Sequence, residues 1–378
     1  MNNFIFSRKN IQITHGNGVH LYSTDGTEYL DLGASYACVP AGHNHPHILS
    51  EIQNQLEKIT YIQGSYPISI RDDFYNKLVE ISPGDIKNIW LSNSGTEANE
   101  AAIKFARHAT QRSQIISTKQ AFHGRTMGSL SATWKPTYKK GFEPLIPEVD
   151  FVTFGDVESL TDSISENTAA VIVEPIQGEG GVNLPPPNYL QEVRKITEEV
   201  GAAMILDEIQ TGLGRTGSFW NCNHTNVVPD ILTSAKGLAN GLPIGVTLCK
   251  DWIAENPGNH GSTFSGGPVV CAAGNATIDV ILNENLPENA SKIGSYLLKE
   301  LKETIGTRTR DIRGSGLLIG IEVKRGSGSI LGNLARDHGI LALPAGKTVV
   351  RILPPLTLDR SHADDFISAM DSLPEDIL

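Results

Sequence analysis

The chain has 378 residues, of which 39% are hydrophobic and 19% charged, as in an ordinary globular enzyme long enough for two domains. Its 31 basic and 42 acidic side chains give a net charge of −11, which argues against a nucleic-acid-binding protein. The four cysteines lack CxxC spacing, and no apolar run reaches the ~18 residues of a membrane helix, so we expect reduced cysteines and a cytoplasmic protein without a membrane anchor.

The first fifty residues predict a segment too small to fold alone. Residues 11–32 alternate apolar and polar side chains around a turn signal, which predicts a pair of strands. Three alternating histidines follow, namely His43, His45 and His47. No carboxylate or cysteine cluster accompanies them, so a Gly/Pro-rich turn is favoured over a metal site. Apolar periodicity then predicts two helices, over residues 48–59 and 72–81.

From residue 88 onward, short apolar runs alternate with loops and helical segments. Six runs predict strands, at residues 88–91, 114–117, 169–173, 202–206, 231–235 and 245–249. Strand, loop and helix in repetition predict a mostly parallel sheet with helices on its faces. Two helices (275–283 and 290–305), strands in IRGSGLLIGIEV and TVVRILPPLTL, and a last helix (360–373) follow. The chain is therefore predicted to be α/β, with a second α/β domain.

Two strand ends carry the residues on which the functional interpretation depends. The run at 202–206 is followed by the acidic pair Asp207 and Glu208, and the run at 231–235 is followed by Lys236. Ligands of α/β proteins bind beyond the carboxyl ends of the strands, so the acid and the lysine are expected to face one crevice. Pyridoxal phosphate needs a lysine for a Schiff base and an acid that keeps its ring nitrogen protonated. A solvated lysine and an Asp-Glu turn explain the two residues equally well, so other segments must decide.

Further candidate residues follow other strand ends. Ser94 and Glu97 have the spacing of a capping box, and the helix that they open offers free N–H groups to an anion, beside Gly95. Phe122 can stack on a planar ring, with Ile209 on the opposite face. Taken alone, each residue fits a plain helix cap or a core position.

Two charged residues and two motifs complete the candidates. Glu179 lies in the glycine-rich loop EPIQGEGG, and Arg351 lies in VVRILPP. The Arg351 guanidinium can bind a carboxylate bidentately, although most arginines are surface residues.

Residues 212–217 match G-x-G-x-x-G, but no helix pattern follows, so a nicotinamide site is disfavoured. No G-x-S-x-G occurs, which disfavours a serine hydrolase.

Together these segments resemble the class III (ornithine/acetylornithine type) aminotransferases of the fold-type I pyridoxal-phosphate family. The motifs that carry the likeness are HLYSTDGTEYLDL, GHNHP, NSGTEANEAAIKFAR, FHGRTMGSL, EPIQGEGG, LDEIQTGLGRTG, PDILTSAKGL, HGSTF, IRGSGLLIGIEV and VRILPPLTL. The resemblance implies a large domain (51–274) with a seven-stranded type of sheet, a small C-terminal domain (275–378) and an N-terminal segment (1–50) that joins the small domain. Ser265 and Gly267 depart from the glycine and asparagine usual in the family.

The resemblance implies pyridoxal 5'-phosphate as the cofactor, with no metal. It implies that Lys236 forms the Schiff base, that Asp207 pairs with the pyridine nitrogen and that Gln210 bonds the phenolic oxygen. The other implied contacts are ring stacking by Phe122 and Ile209 and phosphate binding by Ser94, Gly95, Thr96 and the neighbouring subunit's Thr263. A homodimer with active sites at its interface is therefore expected.

Four residues receive substrate-side roles from the resemblance. Arg351 would bind the α-carboxylate of 2-oxoglutarate or glutamate. Glu179 would mask Arg351 while the other amino donor is bound, because one site must serve two different donors. Arg125, with Tyr36 beside it, would bind a distal carboxylate.

Within the family, the likeness is nearest to the LysW-γ-lysine aminotransferases, through YPISIRDDFYNKL, GRTMGSLSATWKPTYKKGFEPLIPEV and LALPAGKTVVRILPPLTL. Those enzymes act on substrates whose α-amine is capped by a small acidic carrier protein. The basic stretch Lys135, Lys139 and Lys140 can steer such a partner, or can be a solvated loop. We expect transamination between glutamate or 2-oxoglutarate and the terminal amine of carrier-linked lysine or ornithine. Alternatives are acetylornithine aminotransferase, another class III ω-aminotransferase, or a semialdehyde aminomutase, which Glu179 with Arg351 disfavours.

Overall fold

A computed structural model of the chain describes residue 5, residues 9–374 and residues 377–378. Its central feature is a seven-stranded sheet. From one edge to the other, the strands are Asn88–Ser92, Gly245–Cys249, Ile231–Ser234, Ala203–Asp207, Thr168–Val173, Gln114–Thr118 and Val149–Val152. Gly245–Cys249 is antiparallel to both of its neighbours, and the other six strands share one direction. The predicted α/β fold with a mostly parallel sheet is confirmed.

The seventh strand, Val149–Val152, was not among the six predicted runs. It is only four residues long, lies at the edge of the sheet and carries the exposed Asp150. An edge strand buries less of its surface, so its sequence lacks the continuous apolar run of the buried neighbour Thr168–Val173.

Helices cover both faces of the central sheet and the C-terminal region. They are Pro46–Leu56, Ser69–Ile81, Gly95–Thr110, Met127–Ala132, Pro136–Lys139, Val157–Ser163, Tyr189–Val200, Asp251–Ala254, Pro268–Asn283, Leu286–Ile305, Ser327–Asp337 and Arg360–Asp371, with short 3-10 turns at Asn221–His224 and Lys236–Ala239. The helix predicted to begin at residue 275 begins at Pro268 instead. Its first half is almost wholly buried and lacks the polar face that periodicity needs.

Two smaller sheets lie outside the central one. The C-terminal sheet has the strand order Asp311–Ser315, Leu318–Glu322, Val349–Ile352 and Leu343–Ala345. The N-terminal sheet comprises Ile13–Asn17, His20–Ser23, Glu28–Asp31 and Ile340–Leu341. Its last two strands run parallel, so the N-terminal segment is hydrogen-bonded to the C-terminal region. The domain limits at residues 51 and 274 stay predictions, and the second falls inside the helix Pro268–Asn283.

The three histidines of the N-terminal region have separate surroundings. His43 contacts Asp31 at 2.9 Å, and His45 contacts Glu284 at 3.0 Å. Over the described part of the chain, no group of three or more His, Cys, Asp or Glu side chains is placed to hold a metal ion. Within the same residues, no helix combines the length and the apolar character that crossing a membrane requires.

Candidate active site

A cavity of about 240 Å³ lies at the carboxyl ends of the central strands. It is lined by Gly95, Thr96, Phe122, His123, Gly124, Arg125, Glu174, Glu179, Asp207, Ile209, Gln210 and Lys236. Nine of the residues predicted from the sequence are in this set, and they come from five different strand ends and loops. The expectation that the acid and the lysine face one crevice therefore agrees with the geometry.

Asp207 is the last residue of its strand and is buried. One carboxylate oxygen accepts from the Asn99 amide at 2.8 Å and contacts His123 Nδ1 at 2.7 Å, and the other accepts from the Ile209 N–H at 3.1 Å. Asn99 is itself held by the Thr233 hydroxyl, which donates to its Oδ1 at 2.8 Å. These contacts fix the direction of the carboxylate.

Lys236 opens the 3-10 turn that follows the strand Ile231–Ser234. Its φ of 38° lies in the left-handed region, which costs a non-glycine residue about 1–2 kcal/mol. Burial lowers the pKa of the Lys236 amine, while the nearby carboxylates of Glu179 and Asp207 oppose this effect. A strained lysine with a lowered pKa in a cleft is typical of a reactive amine.

An anion-binding helix terminus forms part of the wall. Ser94 caps the helix Gly95–Thr110, with its hydroxyl accepting from the Glu97 N–H at 3.3 Å. The Glu97 carboxylate accepts from the Asn93 N–H at 2.9 Å, one residue before the position that a capping box requires, so the predicted box is only half formed. The first N–H groups of a helix have no partner within the helix, and Gly95 lies at the cavity surface.

Phe122 and Ile209 provide the apolar part of the wall. The Phe122 ring packs edge to face on Tyr138, with ring centres 5.9 Å apart. Ile209 lies against Gly95, where an added Cβ would come within 2.8 Å of the Ile209 Cδ1 atom. A side chain at position 95 would therefore push Ile209 away from its present position.

Arg351 is fully buried on its strand and reaches the cavity residues from the C-terminal sheet. Its guanidinium lies 2.6 Å from the Glu179 carboxylate and donates to Gln210 Oε1 at 3.1 Å. A cation without solvent contact needs such a partner, because an unpaired buried charge is costly. This ion pair thus connects the glycine-rich loop to the C-terminal sheet.

Tyr36 lies on a left-handed turn. Residues Ala34–Ala37 have φ values of 41°, 51°, 66° and 67°, and the Asp31 carboxylate accepts from two N–H groups at the start of this turn. The resemblance implied that Tyr36 lies beside Arg125; the structure places its ring 5.8 Å from the Arg351 guanidinium. Arg125 instead lies 4.0 Å from the centre of the Tyr138 ring.

Two other predicted residues lie apart from this cavity. Thr263 does not line it, and the backbone carbonyl of Thr263 accepts a hydrogen bond from the Tyr61 hydroxyl. Lys139 is half-buried, donates to the Ser131 carbonyl at 2.9 Å and has a pKa lowered by burial. Of the basic stretch, Lys135 and Lys140 are the exposed members.

His123 and Glu174 line the cavity although the sequence interpretation gave neither a role. Glu174 directly follows the strand Thr168–Val173, so the rule that singled out Asp207 also applied to it. Burial raises the pKa of Glu174 to about 7, with Asp207 adding to the shift and His123 opposing it. His123 carried no comparable signal, because its partner is far away in sequence.

Comparison with known proteins identifies the family of the chain. The model of the class III aminotransferase family matches residues 6–373. A [LysW]-aminoadipate semialdehyde/glutamate semialdehyde transaminase of Sulfolobus acidocaldarius is 42% identical over 365 residues, covering 96% of this chain and 94% of the relative. An acetylornithine aminotransferase of Methanopyrus kandleri is 42% identical over 320 residues, covering 84% of this chain and 82% of the relative.

Among solved structures, an ornithine aminotransferase of Toxoplasma gondii superposes with a TM-score of 0.93 at 29% identity, covering 97% of this chain and 91% of that one. That structure is described with PLP at its active site, the cofactor expected for the residues gathered here. Since the family model spans nearly the whole chain and the Sulfolobus relative is aligned over 96% of it, the chain belongs to the class III aminotransferases and is an aminotransferase dependent on pyridoxal 5'-phosphate.

Proposed function

We propose that this enzyme exchanges an amino group between glutamate and the terminal amine or semialdehyde of a lysine or ornithine whose α-amine is linked to a carrier protein. The observation that carries the proposal is the ion pair between Arg351 and Glu179 at 2.6 Å. The site must bind a dicarboxylate in one half-reaction and a long substrate through its terminal amine in the other. Arg351 can serve both half-reactions if Glu179 pairs with it in one and moves away in the other.

The residues present fit pyridoxal phosphate. The Asp207 carboxylate, held by His123 Nδ1, lines the same cavity as the Lys236 amine, which places an acid and an amine where the ring nitrogen and the aldehyde of this cofactor need them. We propose that Lys236 binds the cofactor through its amine, that Asp207 and Gln210 contact the ring, and that residues 94–96 hold the phosphate. When bound, pyridoxal phosphate supplies an electron-withdrawing ring that makes a proton easier to remove from the amine-bearing carbon.

Each catalytic role follows from the surroundings of the residue. Asp207, held in place by Asn99 and His123, is the acidic group that would face a protonated ring nitrogen. The Lys236 amine, with its lowered pKa, is suited to accept a proton from the substrate carbon and to return it. Phe122 and Ile209 exclude water on the apolar side of the cavity.

The substrate-side proposal follows the ion pair. With Glu179 bound to it, Arg351 carries no net attraction for a second carboxylate, and the terminal amine of a long donor can enter. When Glu179 turns away, the bare guanidinium can bind the α-carboxylate of glutamate or 2-oxoglutarate bidentately. The glycines around Glu179 allow this motion.

Two finer points belong to the same proposal. We expect a homodimer in which the partner's Thr263 completes the phosphate site, which is consistent with the position of Thr263 outside this chain's own cavity. We also expect a cytoplasmic enzyme. The identity of the donor rests on the relatives, whose names include both LysW-linked and acetylated substrates, so acetylornithine is the second candidate.

The test is a single-turnover measurement of the bound cofactor's absorbance with N-acetylornithine, carrier-linked lysine or carrier-linked ornithine, each without keto acid. We expect the carrier-linked donors to react faster; an equal or faster reaction of acetylornithine would assign the enzyme to that substrate instead. Glu179→Gln should slow all terminal-amine donors and leave the reaction with glutamate intact, because only the former need Arg351 masked.

A further inference from the structure

A second cavity, of about 200 Å³, adjoins the first. It is lined by Gln120, Ala121, Phe122, Trp134, Lys135, Tyr138, Glu179, Gly180 and Gly346. Phe122 and Glu179 line both cavities, so the two spaces meet at these side chains. A ligand held in the first cavity can therefore extend into the second.

Two cationic side chains, one from each cavity, contact the ring of Tyr138. The Arg125 guanidinium lies 4.0 Å and the Lys135 amine 5.0 Å from the centre of the Tyr138 ring. Arg125 lines the first cavity and Lys135 the second. Within the described ranges 9–374 and 377–378, neither cation has an acidic side chain within ion-pair distance, so both are available to a ligand anion.

We propose that the second cavity binds the acyl group attached to the α-amine of the amino donor, and that Lys135 binds a carboxylate carried by that acyl group. The inference rests on the proposed function, because it assumes a donor with a terminal amine and an acylated α-amine. It assigns a specificity site: Arg125 takes the donor's own α-carboxylate, and Lys135 takes the second one.

The chemistry of the lining selects the acyl group. Trp134 and Tyr138 offer apolar surface to a short methylene chain, and Lys135 at the exposed side offers a charge to its end. A γ-glutamyl group has both features, whereas an acetyl group fills little of the space and has no anion. Discrimination between the two donor classes would then arise in this cavity.

A matched pair of donors tests the inference. Nα-glutaryl-lysine carries a carboxylate on a three-carbon chain, and Nα-butyryl-lysine has the same chain without it. In single turnovers of the cofactor-loaded enzyme, we expect the glutaryl donor to react about fivefold faster at low concentration, the size expected for an exposed charge pair. Lys135→Gln should reduce this ratio to about one, while Lys140→Gln, which changes a lysine outside the cavity, should preserve it.

A second pair of variants changes the charge at the opposite wall. A Cβ atom added at Gly346 meets no atom within 4 Å, and its φ of 68° suits Asn and Asp among the non-glycine residues. Gly346→Asp should slow the glutaryl donor and spare the butyryl donor, whereas Gly346→Asn should leave their ratio unchanged. Glutamate turnover serves as the common control for all four variants.

Binding without turnover separates this inference from the proposed function. Nα-glutaryl-norleucine and Nα-butyryl-norleucine lack the terminal amine and can only inhibit the glutamate half-reaction. We expect the glutaryl compound to inhibit more strongly than the butyryl compound, and we expect this difference to be lost in Lys135→Gln. That result supports the acyl-group site even if the enzyme converts no lysine donor. Failure to convert any lysine donor would overturn the proposed function but not the site. The assignment of Lys135 would be overturned if the glutaryl and butyryl compounds inhibited equally and reacted at equal rates. It would also be overturned if Lys140→Gln abolished the preference for the glutaryl compounds as Lys135→Gln does.

Discussion

Asp207 and Glu208 are neighbours in sequence and both are buried, yet they hold different kinds of partner. Asp207 faces the cavity, whereas Glu208 accepts from the backbone N–H groups of Asn221 and Cys222 at 2.9 and 2.8 Å and from the Thr211 hydroxyl at 2.7 Å. Glu208 therefore stabilises the 3-10 turn rather than the site. The sequence DE alone could not separate the two roles.

The first prediction uses this contrast. Asp207→Asn should retain the fold and lower kcat/KM by roughly 100-fold or more, because the charge that stabilises the transition state is lost, at about 3 kcal/mol. Glu208→Gln should instead lower the free energy of unfolding while kcat/KM changes little. Steady-state kinetics and denaturant unfolding of both variants check this, and normal turnover of Asp207→Asn would contradict the assignment of Asp207.

Glu174 gives a pH-dependent prediction. Its pKa of about 7 in the folded chain exceeds the ordinary 4.5 because burial disfavours the charged form. The folded state therefore binds the proton more tightly, so the stability that Glu174 contributes is fully present below pH 4.5 and is lost as the pH rises through 7. In Glu174→Gln this slope should be absent. Unfolding of the cofactor-free protein at pH 5 and pH 8 measures it, with the exposed Glu166→Gln as a control that keeps the slope.

Whether a site residue could be predicted from the sequence depended on how far along the chain its contact partners lie. Lys236 and Asp207 could be predicted because each follows an apolar strand, and the carboxyl ends of strands meet at one edge of the sheet. His123 and Asn99 could not, because their roles arise from contacts with Asp207 across 84 and 108 residues of sequence. Such contacts exist only after the helix Gly95–Thr110 has packed on the sheet.

Among the elements, the turn Ala34–Ala37 departs furthest from ordinary conformation. Four successive non-glycine residues are left-handed, and two α-helical hydrogen bonds, to Gly33 and Ala34, close the turn. This arrangement costs on the order of 1–2 kcal/mol per residue, which the carboxylate of Asp31 offsets in part. The sequence SYACV contains no glycine and so carried no signal for it.

Glycine in this turn should stabilise the protein. Ser35 is exposed with φ 51°, so Ser35→Gly removes the strain of its Cβ and should raise the free energy of unfolding by about 0.5–1 kcal/mol. Ser50→Gly, at an exposed position of the ordinary helix Pro46–Leu56, should lower it by about 0.5 kcal/mol. Denaturant unfolding of both variants gives the two free-energy changes. A decrease in stability for Ser35→Gly, as for Ser50→Gly, would show that the turn is not strained.

The elements themselves were predictable where one face is polar. The helix Gly95–Thr110 has polar and apolar faces, so its pattern was clear, and its capping residue marked the start. The buried half of Pro268–Asn283 and the edge strand Val149–Val152 were missed for opposite reasons, since the first lacks a polar face and the second lacks an apolar run.

For the whole molecule, the contacts between the C-terminal sheet and the central region decide how the site is assembled. Arg351 enters from that sheet, and the buried Arg215 donates to the Leu317 and Pro354 carbonyls at 3.1 and 2.5 Å. The sequence contained only a weak argument for Arg351, because which surface of a second domain meets the first cannot be derived from strand patterns. The resemblance to a family supplied that placement.

Arg313 connects the same sheet to the glycine-rich loop of Glu179. Its guanidinium donates to the Gly181 carbonyl at 2.6 Å and to the Val182 carbonyl at 2.9 Å, while the Glu322 carboxylate holds it from behind at 2.7 Å. Three different nitrogens of this planar group contact the two carbonyls and the carboxylate, whereas a lysine offers only one nitrogen for all three partners. The position of Glu179 on Arg351 therefore depends on a residue distant from the chemistry.

Arg313→Lys should accordingly loosen the loop and leave Arg351 unmasked more often. The loss of two hydrogen bonds, about 1 kcal/mol net, predicts a roughly fivefold slower half-reaction with terminal-amine donors and an unchanged or faster one with glutamate. Arg310→Lys is the matched control, because Arg310 contacts the Lys324 carbonyl at 3.0 Å and not the loop. Single turnovers with each donor measure the ratio. A parallel loss in both half-reactions would mean that Arg313 supports the fold in general, and that Glu179 is not held in place by the C-terminal sheet.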